Sequence, residues 1–312
     1  MPELYAGPGW IRTVRRSRGS VVQATHRNSF RAWLQTCFIL PGAPNNMSMF
    51  MHGLFVWYSY RMKETDITIP LTGTDLNIYG VLRGDYAKPL VILCHGYGGW
   101  MNEMLLYNAA RYFEKEGFAS LRLSMYGGGE HSRDISASDV LTHANDMDDV
   151  VSYVKDKGAE QVALVGHSFS GLAIVYSKKQ QFDAAILWDP THTDAYKDPE
   201  AIKSIERDFL FVDKLNAYVS GKGSGYVYAK TVFDNDFPDS KEMAAKFHVP
   251  TCVVNADWSE DQQRLGKAYV NDISADAKQV IIPGSSHPFT EEGAAERLFA
   301  ATVDYCREVL LK

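Results

Sequence analysis

The chain has few cysteines and no long apolar run, and both shortages exclude classes of protein. Its four cysteines, Cys37, Cys94, Cys252 and Cys306, are widely spaced, and no CxxC pair suggests a zinc or redox site. We therefore expect buried free thiols in a reducing compartment, which favours the cytoplasm. No run of 18 or more apolar residues occurs, so we expect no stable membrane span.

The chain also lacks the excess of positive charge that a nucleic-acid binder needs. It has 32 basic and 38 acidic residues and a formal net charge of -6. Lysine and arginine must replace the counterions of a phosphate backbone, and no basic stripe is present outside the first 63 residues. We expect no nucleic-acid partner. With 312 residues, 46% of them hydrophobic, the chain can bury one large core or two modest ones.

Acidic residues are missing from the region between Glu3 and Glu64, which contains eight basic residues ending at Lys63. The remainder has 24 basic and 37 acidic residues, a net charge of -13. An acid-free, arginine-rich leader is typical of an organelle targeting segment. Because strand-like alternation begins only after Met62, we favour residues 1–63 as poorly ordered or non-native upstream sequence, with a targeting segment as the alternative.

Residues 64–312 show the alternation of strands and helices that is typical of an α/β domain. Alternating residues first predict an antiparallel hairpin, and short apolar runs then predict buried parallel strands. We predict a doubly wound, mostly parallel sheet with an antiparallel start. The predicted strands are Thr65–Pro70, Leu76–Leu82, Leu90–Cys94, Ala119–Leu123, Val162–Val165, Ala184–Trp188, Thr251–Asn255 and Gln279–Ile282. The predicted helices are Asn102–Glu116, Ser138–Lys157, with Ser138 as its cap, Gln262–Asn271 and Glu291–Leu311.

One connection is too long for an ordinary loop. Residues 191–249 lie between two predicted strands and have helical and aromatic patterns of their own. We predict that they form an inserted cap whose aromatic residues line a pocket or make a small core of their own.

The strongest local motif is GHSFSG, at residues 166–171, which follows a predicted strand and precedes a helical stretch. A serine on a sharp strand-to-helix turn has its hydroxyl lifted out of the sheet, and small flanking residues let that turn close. We predict Ser168 as a nucleophile. The usual form of the motif is GxSxG, whereas here Ser170 occupies the last position and Gly171 follows it. A glycine-serine turn without chemistry is the alternative.

A glycine-rich turn, HGYGG at residues 95–99, follows the strand Leu90–Cys94. Acyl transfer places negative charge on a carbonyl oxygen, which preorganised backbone N–H groups stabilise. We assign these two donors to the amides of Tyr97 and Phe169, the latter being the residue after the nucleophile. The glycines could instead only form a tight turn, and His95 is interpreted as a structural hydrogen-bonding residue.

His287 lies in the segment PGSSHP, at residues 283–288, after the last predicted strand. Imidazole exchanges protons near neutral pH, so His287 is the predicted general base. We interpret His143 as a surface residue and His167 as packed within the serine turn. No spacing of ligands suggests a metal site.

An acidic residue should orient the imidazole ring of His287. The turn after Thr251–Asn255 contains three carboxylates, of which Asp257 is our first choice, with Asp261 and Glu260 as alternatives. Asp189, after the preceding strand, is a further alternative. The order serine, aspartate, histidine along the chain agrees with the order expected for such a sheet.

Taken together, these motifs resemble those of the α/β-hydrolase superfamily, in particular small carboxylesterases, cinnamoyl (feruloyl) esterases and monoacylglycerol lipases. The resemblance covers residues from Thr65 to the C-terminus and rests on HGYGG, GHSFSG, Asn255–Asp257 and GSSHP. It implies that Ser168 attacks an acyl carbon, that His287 relays the proton, and that water then releases the acid. It implies no cofactor.

The resemblance and the residues predict a carboxylic ester hydrolase acting on a small-molecule ester. We expect a short-acyl or aromatic substrate because of the aromatic character of residues 191–249. A peptidase or a thioesterase on the same three residues is an alternative, since a fold does not determine its function. A catalytically inert binding protein, suggested by Ser170, is another. The sequence makes no prediction of oligomeric state.

Overall fold

The computed structural model of the chain describes residues 64–196, 203, 207–221, 226–234 and 236–312, without the side chains of residues 195, 196 and 233. The basic leader predicted for residues 1–63 lies outside these described residues, as does Cys37.

The main feature is an eight-stranded sheet with the strand order β1-β2-β4-β3-β5-β6-β10-β11. Strand β2 pairs antiparallel with both β1 and β4, and the other neighbours are parallel. The predicted architecture, an antiparallel start followed by a parallel sheet, is confirmed. The strands are β1 Glu64–Pro70, β2 Asn77–Arg83, β3 Leu90–Cys94, β4 Ala119–Ser124, β5 Val162–His167, β6 Ala184–Trp188, β10 Thr251–Ala256 and β11 Ala277–Ile282.

The central strands are buried because helices cover both faces of the sheet. All residues of β3, β5, β6 and β10 are buried. Their side chains alternate between two hydrophobic clusters, one on each face: Leu90 and Ile92 belong to one cluster, Val91 and Leu93 to the other. Continuous apolar runs of this kind are expected of strands covered on both sides.

Seven helices have bounds among the described residues, and the longer ones follow the predicted positions to within a few residues. They are α1 Met104–Lys115, α2 Val140–Asp156, α3 Phe169–Ile174, α4 Lys230–Phe233, α5 Ser240–Ala244, α6 Glu260–Asp272 and α7 Ala294–Leu310. Helix α2 begins after Asp139 rather than Ser138, so the predicted cap is wrong by one residue. Asp139 accepts a hydrogen bond from the Thr142 amide, and the Thr142 hydroxyl accepts one from the Asp139 amide, which makes a capping box.

The segment 191–249 contains a separate three-stranded antiparallel sheet in the order β7-β8-β9. Its strands are β7 Phe209–Val212, β8 Ala217–Ser220 and β9 Val227–Ala229. The ring of Tyr228, in β9, stacks on the ring of Tyr97 with centroids 4.9 Å apart. The small sheet therefore lies beside the turn that follows β3.

The three described cysteines, Cys94, Cys252 and Cys306, are buried and free, as predicted. Burial raises the pKa of all three thiols, that of Cys306 to about 12. Within the described ranges, no helix is both long enough and apolar enough to cross a membrane.

Candidate active site

Ser168 lies at the sharp turn between β5 and α3. Its backbone has φ 54° and ψ -116°, a strained conformation for a residue with a side chain. The Ser168 amide donates a 2.8 Å hydrogen bond to the carbonyl of Trp188, which ties the turn to the end of β6. This strained turn is the geometry that the sequence motif predicts for an exposed nucleophile.

The residues around Ser168 explain why the motif ends in Ser170-Gly171. A Cβ atom added at Gly166 would lie 2.5 Å from the carbonyl carbon of Ser170, and one at Gly171 would lie 2.9 Å from Cβ of Pro190. Ser170 is fully buried and lies within α3, and its hydroxyl donates a hydrogen bond to the carbonyl of His95. The serine therefore joins the nucleophile turn to the HGYGG turn.

His287 lies in the loop between β11 and α7, and its ring is held from one side by a carboxylate. Its Nδ1 lies 2.6 Å from Oδ2 of Asp189. With Nδ1 donating to this carboxylate, Nε2 is free to accept a proton. The carbonyl of His287 accepts a 3.0 Å hydrogen bond from Nε2 of His167, and the two imidazole rings are 4.8 Å apart. The residue next to Ser168 thus positions the backbone of His287.

Asp189, directly after β6, is the acidic partner of His287. It is fully buried and has φ 42°. Besides His287, it accepts hydrogen bonds from Nδ2 of Asn255, the amide of Ala256 and Nε1 of Trp258, at 3.1, 3.3 and 3.0 Å. Burial alone would raise the pKa of Asp189, but the bond to His287 and the other donors outweigh it and lower the pKa. The carboxylate is therefore held in its charged form.

Asp257, our first choice of acidic residue, has no hydrogen bond to His287 among the described residues. Its carboxylate accepts hydrogen bonds from the amides of Gly284 and Ser285, at 2.7 and 2.9 Å. Glu260 and Asp261, the next choices, are exposed in the first turn of α6, where Asp261 pairs with Arg264. The structure brings together His287 and the remaining alternative, Asp189.

Asp257 nevertheless has a part in the site, because it holds the loop that precedes His287. Glu291 adds a third bond by accepting from the amide of Ser286 at 2.9 Å. The hydrogen bonds from Gly284 and Ser285 lower the pKa of Asp257, so both are bonds to a charged acceptor. Three consecutive amides before His287 are thus fixed by two carboxylates.

The hydroxyl of Ser168 lies 3.5 Å from the hydroxyl of Thr191. Among the described residues this is the only side-chain hydrogen bond of Ser168. Its hydroxyl makes no hydrogen bond to the imidazole ring of His287. Nucleophile-to-base bonds are often long in the absence of substrate and shorten when it binds.

The HGYGG turn approaches Ser168 closely. A Cβ atom added at Gly96 would lie 3.2 Å from Cβ of Ser168. Gly98 has φ 81°, and its amide donates to the hydroxyl of Tyr126. The rings of Tyr97 and Phe169 meet edge to face at 4.9 Å. Because Phe169 is the first residue of α3, its amide has no hydrogen-bond partner within the helix.

His95 and His167 are buried neutral imidazoles rather than bases. Burial lowers the pKa of each to about 4. Nε2 of His95 accepts a 3.0 Å bond from the amide of Met125, in keeping with its interpretation as a structural residue. His167 packs within the serine turn, as we interpreted it.

The surface position predicted for His143 is wrong. Its ring is fully buried on α2, 5.2 Å from the ring of Phe169 and 5.9 Å from that of Tyr126. The pattern of α2 misled the interpretation, because polar residues such as Asp146 and Asp148 are also buried on this helix.

Glu103 precedes α1 and lies next to the HGYGG turn, and the charge of its carboxyl group depends on pH. Its carboxylate lies so close to Gly99 that an added Cβ atom there would be 2.6 Å from Oε2. Burial raises the pKa of Glu103 from 4.5 to about 7. The folded protein therefore binds this proton more tightly than the unfolded chain does, and stability falls as the pH rises from about 4.5 to 7.

We expect Glu103→Gln to remove this part of the pH dependence. Urea unfolding of the wild type and the variant, measured at intervals between pH 4.5 and pH 8, tests this expectation. The free energy of unfolding of the variant should fall less steeply with pH than that of the wild type. Identical slopes would show that Glu103 titrates alike in both states.

The fold is similar to that of several known structures. The family described as alpha/beta hydrolase fold matches residues 89–198. Est1E from Butyrivibrio proteoclasticus, with ferulic acid bound, superposes with a TM-score of 0.64 at 20% identity over 79% of this chain and 100% of its own. Dienelactone hydrolase from Anabaena variabilis has a TM-score of 0.60 at 14% identity, over 80% and 100%. An esterase domain from Rhodothermus marinus has a TM-score of 0.60 at 11% identity, over 80% and 100%.

No curated protein sequence matches the chain. The family match over residues 89–198 and the superposed structures show that the chain has the α/β-hydrolase fold, the fold that the resemblance implies.

Proposed function

We propose that the chain is a serine hydrolase that cleaves carboxylic esters through an acyl-enzyme intermediate. The observation that carries the proposal is the 2.6 Å bond between His287 and the buried carboxylate of Asp189, beside a serine held at φ 54°. A nucleophile, a base and an acid that orients the base are the parts that acyl transfer requires.

In this mechanism Ser168 Oγ attacks the acyl carbon while Nε2 of His287 takes the serine proton. Asp189 fixes the ring through Nδ1 and stabilises the imidazolium that forms. The amides of Tyr97 and Phe169 donate to the carbonyl oxygen as it becomes negative. The imidazolium then protonates the leaving alcohol, and water, activated by His287, releases the acid.

The relatives and the neighbouring tyrosines support an ester substrate with a short or aromatic acyl group. The structure of Est1E has ferulic acid bound, and the similar Rhodothermus structure is an esterase domain. We propose that residues 191–249 act as a cap, since a Cβ atom added at Gly98 would lie 2.8 Å from the ring of Tyr226. Aromatic side chains beside the proposed oxyanion site offer a flat apolar surface to the acyl group.

The experiment is the hydrolysis of p-nitrophenyl esters from acetate to palmitate, and of methyl ferulate, by the wild type and Ser168→Ala. The loss of the nucleophile should lower kcat by about three orders of magnitude or more. A fluorophosphonate probe should label Ser168 in the wild type only. A folded wild type that hydrolyses no ester but is labelled would favour an amide or thioester substrate. Failure of both assays would favour a binding protein.

A further inference from the structure

Trp258 combines two properties that are seldom found together. Its indole N–H is bonded at 3.0 Å to Oδ2 of Asp189, the same oxygen that binds His287. Yet the residue is 53% exposed. Tryptophan is highly buried on average, because most of its surface is apolar. Here the buried bond fixes a ring whose other surface faces solvent.

The ring of Trp258 also lies next to the base of the proposed mechanism. Its centroid is 6.3 Å from that of His287, with the two planes at 66°. In acylation the bond between the acyl carbon and the alcohol oxygen breaks, and the electron pair stays on that oxygen. The proton that His287 took from Ser168 then passes to this oxygen. The leaving alcohol must therefore lie on the His287 side of the acyl carbon.

The HGYGG turn, which also lies close to Ser168, is surrounded by a different set of aromatic residues. The HGYGG turn is covered by Tyr226 and Tyr228 from the small sheet, and the ring of Tyr97 stacks on that of Tyr228. The carbonyl oxygen of the substrate is directed towards this turn if the amides of Tyr97 and Phe169 bind it. The tyrosines are thus close to the oxyanion, and Trp258 is close to the leaving group.

We propose that the exposed indole face of Trp258 binds the leaving alcohol and favours alcohols with a flat apolar part, such as benzyl, over small alkyl alcohols. The same residue positions Asp189 through its N–H. The ring and the N–H therefore make separable contributions: the ring selects the alcohol, and the N–H supports the hydrolysis of every ester. This inference rests on the proposed ester hydrolase function.

The test compares kcat/KM for ethyl acetate and benzyl acetate. Both esters give the same acetyl-enzyme, so the ratio of their kcat/KM values reports only the alcohol. Trp258→Ala should lower the preference for benzyl acetate by about 3- to 10-fold, the range for one aromatic contact. Trp258→Phe keeps a ring but loses the donor, so it should retain most of the preference. Both variants should hydrolyse both esters more slowly than the wild type does.

Trp100→Ala is the matched control, because Trp100 is a similarly exposed tryptophan that, among the described residues, makes no hydrogen bond to Asp189 and no ring contact with His287. It should keep the wild-type preference. An unchanged ratio in Trp258→Ala, or an equal loss in Trp100→Ala, would overturn the inference while fluorophosphonate labelling of Ser168 still supported the proposed function. A wild type that is neither labelled nor active would overturn both.

Discussion

Asp189→Asn is expected to lower kcat/KM for esters by about three to four orders of magnitude, the loss seen when the acid of a serine triad becomes an amide. Asp189 is buried, and its Oδ2 accepts hydrogen bonds from both His287 and Trp258. An asparagine has one acceptor oxygen and one donor nitrogen, so it cannot accept from all four present donors. It also removes the charge that stabilises the imidazolium.

Asp257→Asn is the matched control, since both residues are aspartates at the ends of neighbouring strands. Its carboxylate accepts hydrogen bonds from the amides of Gly284 and Ser285, and the amide oxygen of an asparagine can still accept one of these bonds. We expect a loss of about tenfold or less, from a less rigid loop. The assay is steady-state hydrolysis of the best ester, with circular dichroism to check folding. A larger loss in Asp257→Asn than in Asp189→Asn would mean that Asp257 is the acid after all.

The sequence limits the candidates for the carboxylate that orients His287 to residues that follow β6 and β10. It does not decide between these two positions. These strands are parallel neighbours with Val254 beside Trp188, so their ends lie about 5 Å apart. Which carboxylate reaches His287 depends on the direction of each side chain beyond the strand. Asp189 leaves β6 at φ 42°, a local conformation that no spacing rule predicts. Asn255 and Trp258, at the end of β10 where we predicted the acid, instead donate hydrogen bonds to the carboxylate of Asp189.

The order and type of the strands and helices could be predicted from the sequence better than the residues at which they begin and end. Buried strands such as β3 and β6 have the bounds predicted from their apolar runs. Strand β11 begins at Ala277, two residues before the prediction, because Ala277 pairs in register with Thr251 of β10. Helix α7 begins at Ala294 rather than Glu291, since Gly293 takes φ 71° and interrupts the helical backbone. The first difference comes from a strand pairing that is remote in the chain, and the second from a local backbone conformation that the helical pattern does not reveal.

Ser170 shows how a departure from a motif can be explained only in three dimensions. In sequence it weakens the match to GxSxG and suggests an inert binding protein. In the structure its hydroxyl bonds the carbonyl of His95, and the close backbone contact that excludes a side chain falls on Gly166 and Gly171. The glycine requirement is met by the neighbouring positions, so Ser170 gives no reason to doubt the site.

Gly166→Ala is expected to damage both stability and activity, because its methyl group would have no space. The new Cβ atom would lie 2.5 Å from the carbonyl carbon of Ser170 and 2.6 Å from the amide nitrogen of Gly171. Both are backbone atoms of the nucleophile turn, so the turn itself must move. Overpacking of this kind costs about 1–3 kcal/mol, and a shift of about 1 Å at Ser168 costs about 100-fold in rate.

Gly117→Ala is the control that separates a loss of stability from a loss of activity. Gly117 has φ 95° and no atom within 4 Å of an added Cβ, so alanine there is strained but meets no clash. It should lower the free energy of unfolding by about 1–3 kcal/mol while leaving kcat/KM unchanged. Urea unfolding and ester hydrolysis of both variants test this. If Gly166→Ala kept wild-type activity, Ser168 would not depend on the geometry of its turn, and its assignment as nucleophile would lose its main structural support.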